Sequence, residues 1–182
     1  MRQKLATFIY FKIMKWKLIG NFPKVDKCII IVISHTSWLD LFLGMLIRSV
    51  WNIKVGFIAK KSLFTPGVGW FIRKVGGAPI ERNKKKDSVT AIANIFKSRD
   101  VFRLALSPEG TRKKVSKLKT GFYYIAKKAN IPVIMVAFDY GHKQIKVSDA
   151  IYPTDDIEAD FKMYKAFFKG VIGKVPEYSF EG

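Results

Sequence analysis

The sequence predicts a single α/β domain with a largely parallel central sheet, helices on both faces of the sheet, and one further helix at the N-terminus. Short apolar runs typical of buried strands alternate along the chain with longer segments of helical periodicity. This alternation is typical of a parallel sheet covered on both faces. With 182 residues, the chain is long enough for one substantial core and too short for two.

Residues 1–20 predict a basic amphipathic helix at a membrane interface. One helical face carries lysines and another carries apolar side chains: Lys4, Lys12 and Lys15 on the first, and Leu5, Ile9, Ile13 and Trp16 on the second. The charge-free runs are far shorter than the ~20 residues that a bilayer-spanning helix needs. A helix of this composition typically lies in the lipid interface, and packing on the domain core is the alternative interpretation.

The elements after the N-terminal helix follow from apolar runs and periodicity. Residues 28–33 are continuously apolar and predict a strand, and residues 38–48 are dense in Leu, Phe and Ile and predict a buried helix. Alternation predicts a strand over 54–60. Residues 66–75 begin with a proline, which is favoured at the first helical position, and they predict a helix. A glycine turn then leads into a strand over 78–82.

The second half of the chain continues this alternation. Its predicted elements are helices over 87–98, 120–130 and 155–172, and strands over 101–106, 132–139 and 144–147. The closing helix carries acids early and lysines late, as the helix dipole favours. In sheets of this kind, ligands bind at the carboxyl ends of the strands.

A histidine and an aspartate follow the first strand of the predicted domain. His35 comes just after the strand, and Asp40 lies about one helical turn further along. A carboxylate at this spacing can orient an imidazole that acts as a general base. The same stretch also fits a helix start, with Ser37 as N-cap and Asp40 at the third helical position. The pair alone leaves both interpretations open.

Further motifs supply groups that acyl transfer to a phosphorylated alcohol needs. A glycine turn and short strand lead to Arg82, and a strand end opens into the turn Ser107-Pro108-Glu109-Gly110-Thr111-Arg112. With His35-x4-Asp40 and a final strand led by Pro132, the chain resembles the glycerolphosphate and 1-acylglycerol-3-phosphate (lysophosphatidate) acyltransferase family. The resemblance covers about residues 28–138. Ser34 stands where the family commonly has asparagine, and Met135 replaces a second proline.

The resemblance implies an acyltransferase domain over residues 21–182 that acts in phospholipid synthesis. His35 would deprotonate the acceptor hydroxyl without a covalent intermediate, and Asp40 would fix the imidazole tautomer. The resemblance implies that the acceptor's phosphate is bound by Arg82, Gly110, Thr111 and Arg112. We expect Glu109 to orient an arginine or a substrate hydroxyl. The acyl donor would be a thioester of acyl carrier protein or coenzyme A.

The net charge of +19 predicts a negatively charged partner. Residues 112–128 carry much of this charge and no acid. We expect an anionic membrane surface, an acyl thioester and a lysolipid acceptor as partners, with the protein peripheral on the cytoplasmic face of the cell membrane. For any single lysine, the alternative to binding a partner is a place on a solvated lysine-rich face.

Metal and thiol chemistry are not expected. The single cysteine, Cys28, opens an apolar strand, and the chain has only two histidines, so we predict neither a metal site nor a cofactor. His142 is interpreted as a turn residue. An acyl chain needs an apolar groove. Five aromatic residues could line such a groove, and core packing explains them equally well: Trp38, Phe57, Phe64, Trp70 and Phe71.

Two competing functions remain open at this point. One is an acyltransferase for an acceptor without phosphate, such as an acylated amino-acid lipid. The other is a basic nucleic-acid-binding module, which charge and aromatic content suggest but which lacks a recognisable binding motif. We therefore expect no nucleic-acid partner.

Overall fold

The structure is a computed structural model that describes residues 3–60, 62, 64–74, 76–80 and 85–181. Its helices are α1 (Gln3–Phe8), continued by a π-helical turn (Ile9–Ile13), α2 (Leu39–Val50), α3 (Val68–Lys74), α4 (Lys85–Lys97), α5 (Gly121–Ala129) and α6 (Ile157–Phe168). A 3₁₀ turn lies at Pro176–Tyr178. Its strands are β1 (Lys17–Ile19), β2 (Lys27–Ile33), β3 (Gly56–Lys60), β4 (Gly77–Ile80), β5 (Phe102–Leu106), β6 (Val133–Asp139) and β7 (Gln144–Val147).

The strands form a seven-stranded sheet in the order β1-β7-β6-β2-β5-β3-β4. From β6 to β4 neighbouring strands are parallel, whereas β7 is antiparallel to β6 and parallel to β1. The predicted α/β class with a largely parallel sheet is confirmed. β2 lies in the middle, where Ile31 pairs with both Leu106 and Met135. Groups that follow β2, β5 and β6 therefore meet at one edge of the sheet.

The sheet separates two hydrophobic clusters because successive side chains of a strand point to opposite faces. On β2, Ile29, Ile31 and Ile33 pack in the cluster beneath α4, α5 and α6, whereas Cys28 and Ile30 pack in the cluster beneath α1 and α2. β6 is buried along its whole length. Burial of each isoleucine contributes roughly 1.5–3 kcal/mol to folding, so the paired clusters fix the sheet between two helical layers.

The N-terminal segment differs from the single helix predicted over residues 1–20. α1 ends at Phe8, and after the π-helical turn β1 pairs in parallel with β7. Ala6 and Tyr10 are fully buried, whereas Leu5 and Phe8 are exposed. The segment therefore packs on the core, as the alternative interpretation had it, and keeps an apolar outer face. Across the described ranges, every helix is too short or too polar to cross a bilayer.

The helix predicted to be buried over 38–48 is α2, and only one of its faces is buried. Leu43 and Ile47 lie in the core, but Trp38 is 59% exposed and Phe42 is 50% exposed. The helix predicted over 66–75 begins only at Val68, because Pro66 and the residue after it form a turn. The end of the strand predicted over 78–82 lies outside the described residues.

Candidate active site

His35 and Asp40 form a hydrogen-bonded pair at the carboxyl end of β2. The two atoms that meet are His35 Nδ1 and Asp40 Oδ2, 2.8 Å apart. The Asp40 side chain is 1% exposed and the His35 side chain is 27% exposed. Because the buried carboxylate accepts a hydrogen bond from Nδ1, the other ring nitrogen, Nε2, is the one left to contact a ligand. The geometry thus places a fixed imidazole where a ligand can reach it.

Asp40 also holds the start of α2. Its Oδ2 accepts from the backbone N–H of Ser37 at 3.0 Å, and Ser37 Oγ accepts from the N–H of Leu39 at 3.2 Å. These bonds join Ser37 to the first turn of α2, which begins at Leu39 with Trp38 at its N-cap and without a side-chain cap hydrogen bond. Ser37 is therefore not the N-cap that the sequence suggested, and Asp40 is the second helical residue. Its carboxylate bonds both the backbone before the helix and the imidazole.

Tyr140 contacts the remaining oxygen of Asp40, and the sequence motifs did not indicate it. The tyrosine hydroxyl donates to Asp40 Oδ1 at 2.7 Å. Tyr140 follows β6 directly, so the parallel pairing of β6 with β2 brings it to the same edge of the sheet. Its proximity to Asp40 depends on strand order, which local sequence does not encode.

The loop that carries His35 is braced by the C-terminal segment. Ser34 has a left-handed backbone conformation, with φ of 64°, and is fully buried. Its hydroxyl accepts from the N–H of Phe180 at 3.2 Å, and Thr36 Oγ1 accepts from the N–H of Val175 at 3.0 Å. The closing helix, predicted to reach residue 172, ends at Phe168, and the segment after it makes these contacts.

Glu109 lies beneath His35 and is 3% exposed. Its Oε2 accepts from the backbone N–H of His35 at 2.9 Å and from Ser107 Oγ at 3.1 Å. Burial raises the pKa of Glu109 above its usual value, against the lowering effect of these hydrogen bonds. Glu109 therefore positions the backbone of His35; its expected role in orienting an arginine or a substrate hydroxyl stays a prediction.

Gly110, Thr111 and Arg112 form the turn that follows β5. Gly110 has φ of 66°, and a Cβ there would collide with the Lys119 side chain, which lies over the turn. Thr111 Oγ1 accepts from the N–H of Lys113 at 3.3 Å. Lys119 was not predicted as a site residue, because a lysine within a lysine-rich stretch has no distinguishing local signal. Arg82 lies outside the described residues.

One cavity of about 1610 Å³ extends from the His35–Asp40 pair to this turn. His35, Asp40, Gly110, Thr111 and Arg112 all line it. Its apolar wall comes from α2, α3 and the sheet: Ile30, Val32, Leu41, Gly44, Met45, Ile47, Phe57, Phe71, Val136 and Phe138. The volume exceeds the ~300–1,000 Å³ of typical small-molecule sites, so it has room for a long ligand.

Two of the aromatic residues suggested for an acyl groove line the cavity, and two others are exposed. Phe57 and Phe71 line the cavity, and Trp38 and Trp70 are 59% and 65% exposed. A polar part of the cavity wall was not anticipated, and its side chains come from α4 and α5: Ser88, Thr90, Tyr124, Lys127 and Lys128.

Cys28 and His142 lie away from this chemistry. Cys28 is fully buried, and burial raises the pKa of its thiol to about 12, so it is a packed hydrophobe. His142 lies in the turn between β6 and β7, where its Nδ1 is 2.8 Å from Asp139 Oδ2. Within the part of the chain that the structure describes, no cluster of three His, Cys, Asp or Glu side chains could hold a metal ion.

The chain is similar in sequence to known proteins over most of its length. The family model described as Acyltransferase matches residues 15–139. The chain is 28% identical over 155 residues to a 1-acyl-sn-glycerol-3-phosphate acyltransferase of Saccharomyces cerevisiae, covering 74% of this chain and 50% of that protein. It is 30% identical over 137 residues to the enzyme of the same name from Streptococcus pneumoniae, covering 69% of this chain and 50% of that protein.

The chain thus spans about half the length of the curated relatives that it matches. The family match includes the strand before His35, the turn at Gly110 and the strand that ends at Asp139. On this match, which extends over more than half of its residues, the chain belongs to the acyltransferase family.

Proposed function

We propose that the protein transfers a fatty acyl chain from a thioester to the hydroxyl of lysophosphatidate or a related lysolipid, in phospholipid synthesis. The observation that carries this proposal is the single cavity that contains a carboxylate-oriented imidazole, a cationic turn and a long apolar wall. These are the groups that the reaction needs for proton removal, for phosphate binding and for acyl-chain binding.

The chemistry follows from the orientation of His35. With Nδ1–H bonded to Asp40, Nε2 accepts the proton of the acceptor hydroxyl as its oxygen attacks the thioester carbonyl carbon. The carbon–sulfur bond then breaks, and the imidazolium returns the proton to the departing thiolate. Such a base typically contributes about 10²- to 10⁴-fold to the rate.

Transfer is proposed to be direct, without an acyl-enzyme intermediate. Ser37 Oγ accepts a hydrogen bond from the N–H of Leu39, and Ser107 Oγ donates one to the buried Glu109. Cys28 is fully buried. These hydroxyl and thiol groups therefore have structural roles, and the imidazole acts on the acceptor itself.

Lysophosphatidate is proposed as acceptor because two relatives carry 1-acyl-sn-glycerol-3-phosphate acyltransferase as their name and because the turn is cationic. A guanidinium binds phosphate with paired donors, which assigns the phosphate to Arg112 and, from the sequence motif, to Arg82. Lys119 lies over Gly110 and adds a second cation to the described turn.

The acyl donor is proposed to be a thioester of acyl carrier protein or coenzyme A, since both present phosphate or carboxylate groups to a basic surface. Several basic side chains line the cavity, among them Arg112, Lys127 and Lys128. A net charge of +19 would speed the approach of either donor.

The protein is proposed to work peripherally on the cytoplasmic face of the membrane. Exposed apolar side chains are carried by the N-terminal segment, α2 and α3, and we call them the apolar outer surface: Leu5, Phe8, Phe11, Ile13, Trp38, Leu41, Phe42, Val68, Trp70 and Phe71. Leu41 and Phe71 also line the cavity. A lipid in the leaflet could therefore enter the cavity where this surface meets its mouth.

An assay of the purified chain with labelled acyl thioesters and a panel of lysolipids tests the proposal, with products identified by mass. The panel contains lysophosphatidate, a lysolipid with a modified phosphate, and an acylated amino acid. Preferred acylation of lysophosphatidate supports the proposal, and preferred acylation of the amino-acid lipid overturns the choice of acceptor. No acyl product with any acceptor, from either donor, overturns the proposed function.

A further inference from the structure

Tyr140 is the outermost group of a hydrogen-bonded chain that ends at the His35 imidazole. Its hydroxyl donates to Asp40 Oδ1 at 2.7 Å, while Asp40 Oδ2 accepts from the N–H of Ser37 and faces His35 Nδ1. Each carboxylate oxygen thus has its own donors. A carboxylate bound on both oxygens cannot turn about its Cβ–Cγ bond without breaking a charge-assisted hydrogen bond.

The tyrosine ring is held from several sides by separate parts of the chain. The Trp16 ring packs edge-on against it, with ring centroids 5.0 Å apart and planes at 89°. The backbone N–H of Tyr140 donates to the carbonyl of Ile172 at 2.8 Å. The Lys174 ammonium lies 5.7 Å from the centroid of the Tyr140 ring. The preceding Asp139 is buried and accepts from Gln144 and the His142 backbone, which fixes the turn.

The hydroxyl stays protonated and remains a donor at neutral pH. Burial, and then the hydrogen bond to the Asp40 carboxylate, hold the pKa of Tyr140 well above its usual value. A neutral phenol beside a buried aspartate can only donate to it. The contact therefore favours the orientation of Asp40 in which Oδ2 meets the imidazole.

We propose that Tyr140 is a positioning residue, which locks the Asp40 carboxylate so that it holds His35 in the tautomer and orientation needed for catalysis. The inference rests on the proposed function for its effect on turnover, and on geometry alone for its effect on the imidazole. It also gives the N-terminal segment a part in the site, because Trp16 supports the tyrosine ring.

The test compares Tyr140→Phe with Tyr10→Phe. Both variants lose one hydroxyl and keep the ring; Tyr10 is fully buried and its hydroxyl donates to the carbonyl of Lys17 at 2.7 Å, in the same hydrophobic cluster. We expect kcat to fall about tenfold in Tyr140→Phe with KM unchanged, because one hydrogen bond is removed without a substrate contact. We expect kcat to stay unchanged in Tyr10→Phe.

A proton NMR measurement reports on the same pair without turnover. In a His142→Asn background, His35 is the remaining imidazole of the chain, and its Nδ1–H resonance reports the hydrogen bond to Asp40. We expect this resonance to move upfield and weaken in Tyr140→Phe and to stay in place in Tyr10→Phe. An unchanged resonance in a folded Tyr140→Phe protein overturns the proposal, whatever the assay shows.

Two further controls separate the possible failures. Trp16→Leu removes the ring that supports Tyr140 without touching the pair, and should move the same resonance to a smaller extent, which keeps the proposal testable if Tyr140→Phe does not fold. If the parent protein acylates no lysolipid, the proposed function fails, whereas the resonance still decides the positioning role.

Discussion

Ser34 adopts a left-handed backbone conformation immediately before the proposed base, at φ of 64°. Left-handed backbone costs roughly 1–2 kcal/mol for a residue with a Cβ. Here the serine hydroxyl offsets that cost by bonding to the backbone of Phe180 and Val171. Asparagine, which the related family commonly has at this place, tolerates the left-handed region better than most residues. The serine thus depends on the C-terminal segment for its conformation.

The first prediction concerns Ser34. Ser34→Ala loses the hydroxyl and keeps the backbone strain, whereas Ser34→Gly loses the hydroxyl but relieves the strain. We expect Ser34→Ala to be destabilised more than Ser34→Gly, by about 1 kcal/mol, as measured by urea unfolding. Equal losses in the two variants would show that the backbone at this position is not strained.

The second prediction concerns the pH dependence of stability at Glu109. Because burial raises the pKa of Glu109 above its usual 4.5, the folded state binds this proton more tightly than the unfolded state does. Folding stability from this group is therefore full below about pH 4.5 and is lost as the pH rises through the raised value.

Glu109→Gln should remove that loss, because an amide oxygen can accept the same two hydrogen bonds and does not ionise. The free energy of unfolding of the parent, relative to Glu109→Gln, should decrease between pH 4 and pH 7. Glu177→Gln, at an exposed position, controls for the loss of one charge. Parallel pH curves for parent and Glu109→Gln would contradict the account of this residue.

At the scale of elements, the C-terminal segment acts as a brace for the loop between β2 and α2. Gly173 lies so close to this loop that an added Cβ would lie 2.7 Å from Thr36 Oγ1 and 2.9 Å from the carbonyl oxygen of Ser34. Neither atom can withdraw easily, because Thr36 Oγ1 is bonded to Val175 and the Ser34 oxygen belongs to the backbone.

The third prediction follows from this close approach. Gly173→Ala should destabilise the protein by roughly 1–3 kcal/mol through overpacking and should lower the transfer rate, because the loop carries His35. Gly121→Ala is the matched control, since a Cβ there meets nothing within 4 Å; it should be neutral or slightly stabilising. Thermal unfolding and steady-state assays measure both effects, and a fully active, stable Gly173→Ala protein would exclude the brace.

The elements that the sequence predicted best are those whose burial is uniform. β2 and β6 are continuous apolar runs, and both were predicted to within a residue or two of Lys27–Ile33 and Val133–Asp139. β1 was missed because Lys17–Ile19 is a short edge strand with mixed burial. The exposed face of α2 was missed because Trp38 and Phe42 are as apolar as the residues that the helix buries.

The candidate site divides in the same way. His35, Asp40 and the turn at Gly110 were predicted because each lies within a few residues of a strand end. Tyr140 and the brace from Gly173 were not, because their contacts join segments that are distant in sequence and meet only through strand order. Glu109 was placed at the site, but its burial under His35 depends on the neighbouring strands β2 and β5.

At the scale of the whole molecule, charge and exposed apolar area point to the same partner. The net charge is +19, and the apolar outer surface, carried by the N-terminal segment, α2 and α3, includes two residues that also line the cavity, Leu41 and Phe71. Basic groups near an anionic leaflet add about 1 kcal/mol each, and inserted aromatic side chains add apolar burial.

The fourth prediction is that the protein binds phosphatidylglycerol vesicles and binds phosphatidylcholine vesicles weakly, with affinity falling as salt is raised. Replacing both Phe8 and Trp70 by serine should weaken binding on the order of tenfold or more, because each buried side chain contributes ~1.5–3 kcal/mol. Tyr152→Ser, at an exposed position outside the apolar outer surface, should bind as the parent does. Equal binding of all three proteins in a vesicle sedimentation assay would remove the membrane role of this surface.

The most direct test of the account is the rate of acyl transfer by His35→Ala, measured with the thioester and lysolipid that the parent prefers. The imidazole belongs to the surface of the site and not to the core, since the His35 side chain is 27% exposed. We therefore expect thermal unfolding close to that of the parent and a rate lower by at least about 10²-fold, the contribution of a general base. Transfer at the parent's rate by a folded His35→Ala protein would contradict the assignment of the imidazole as the base.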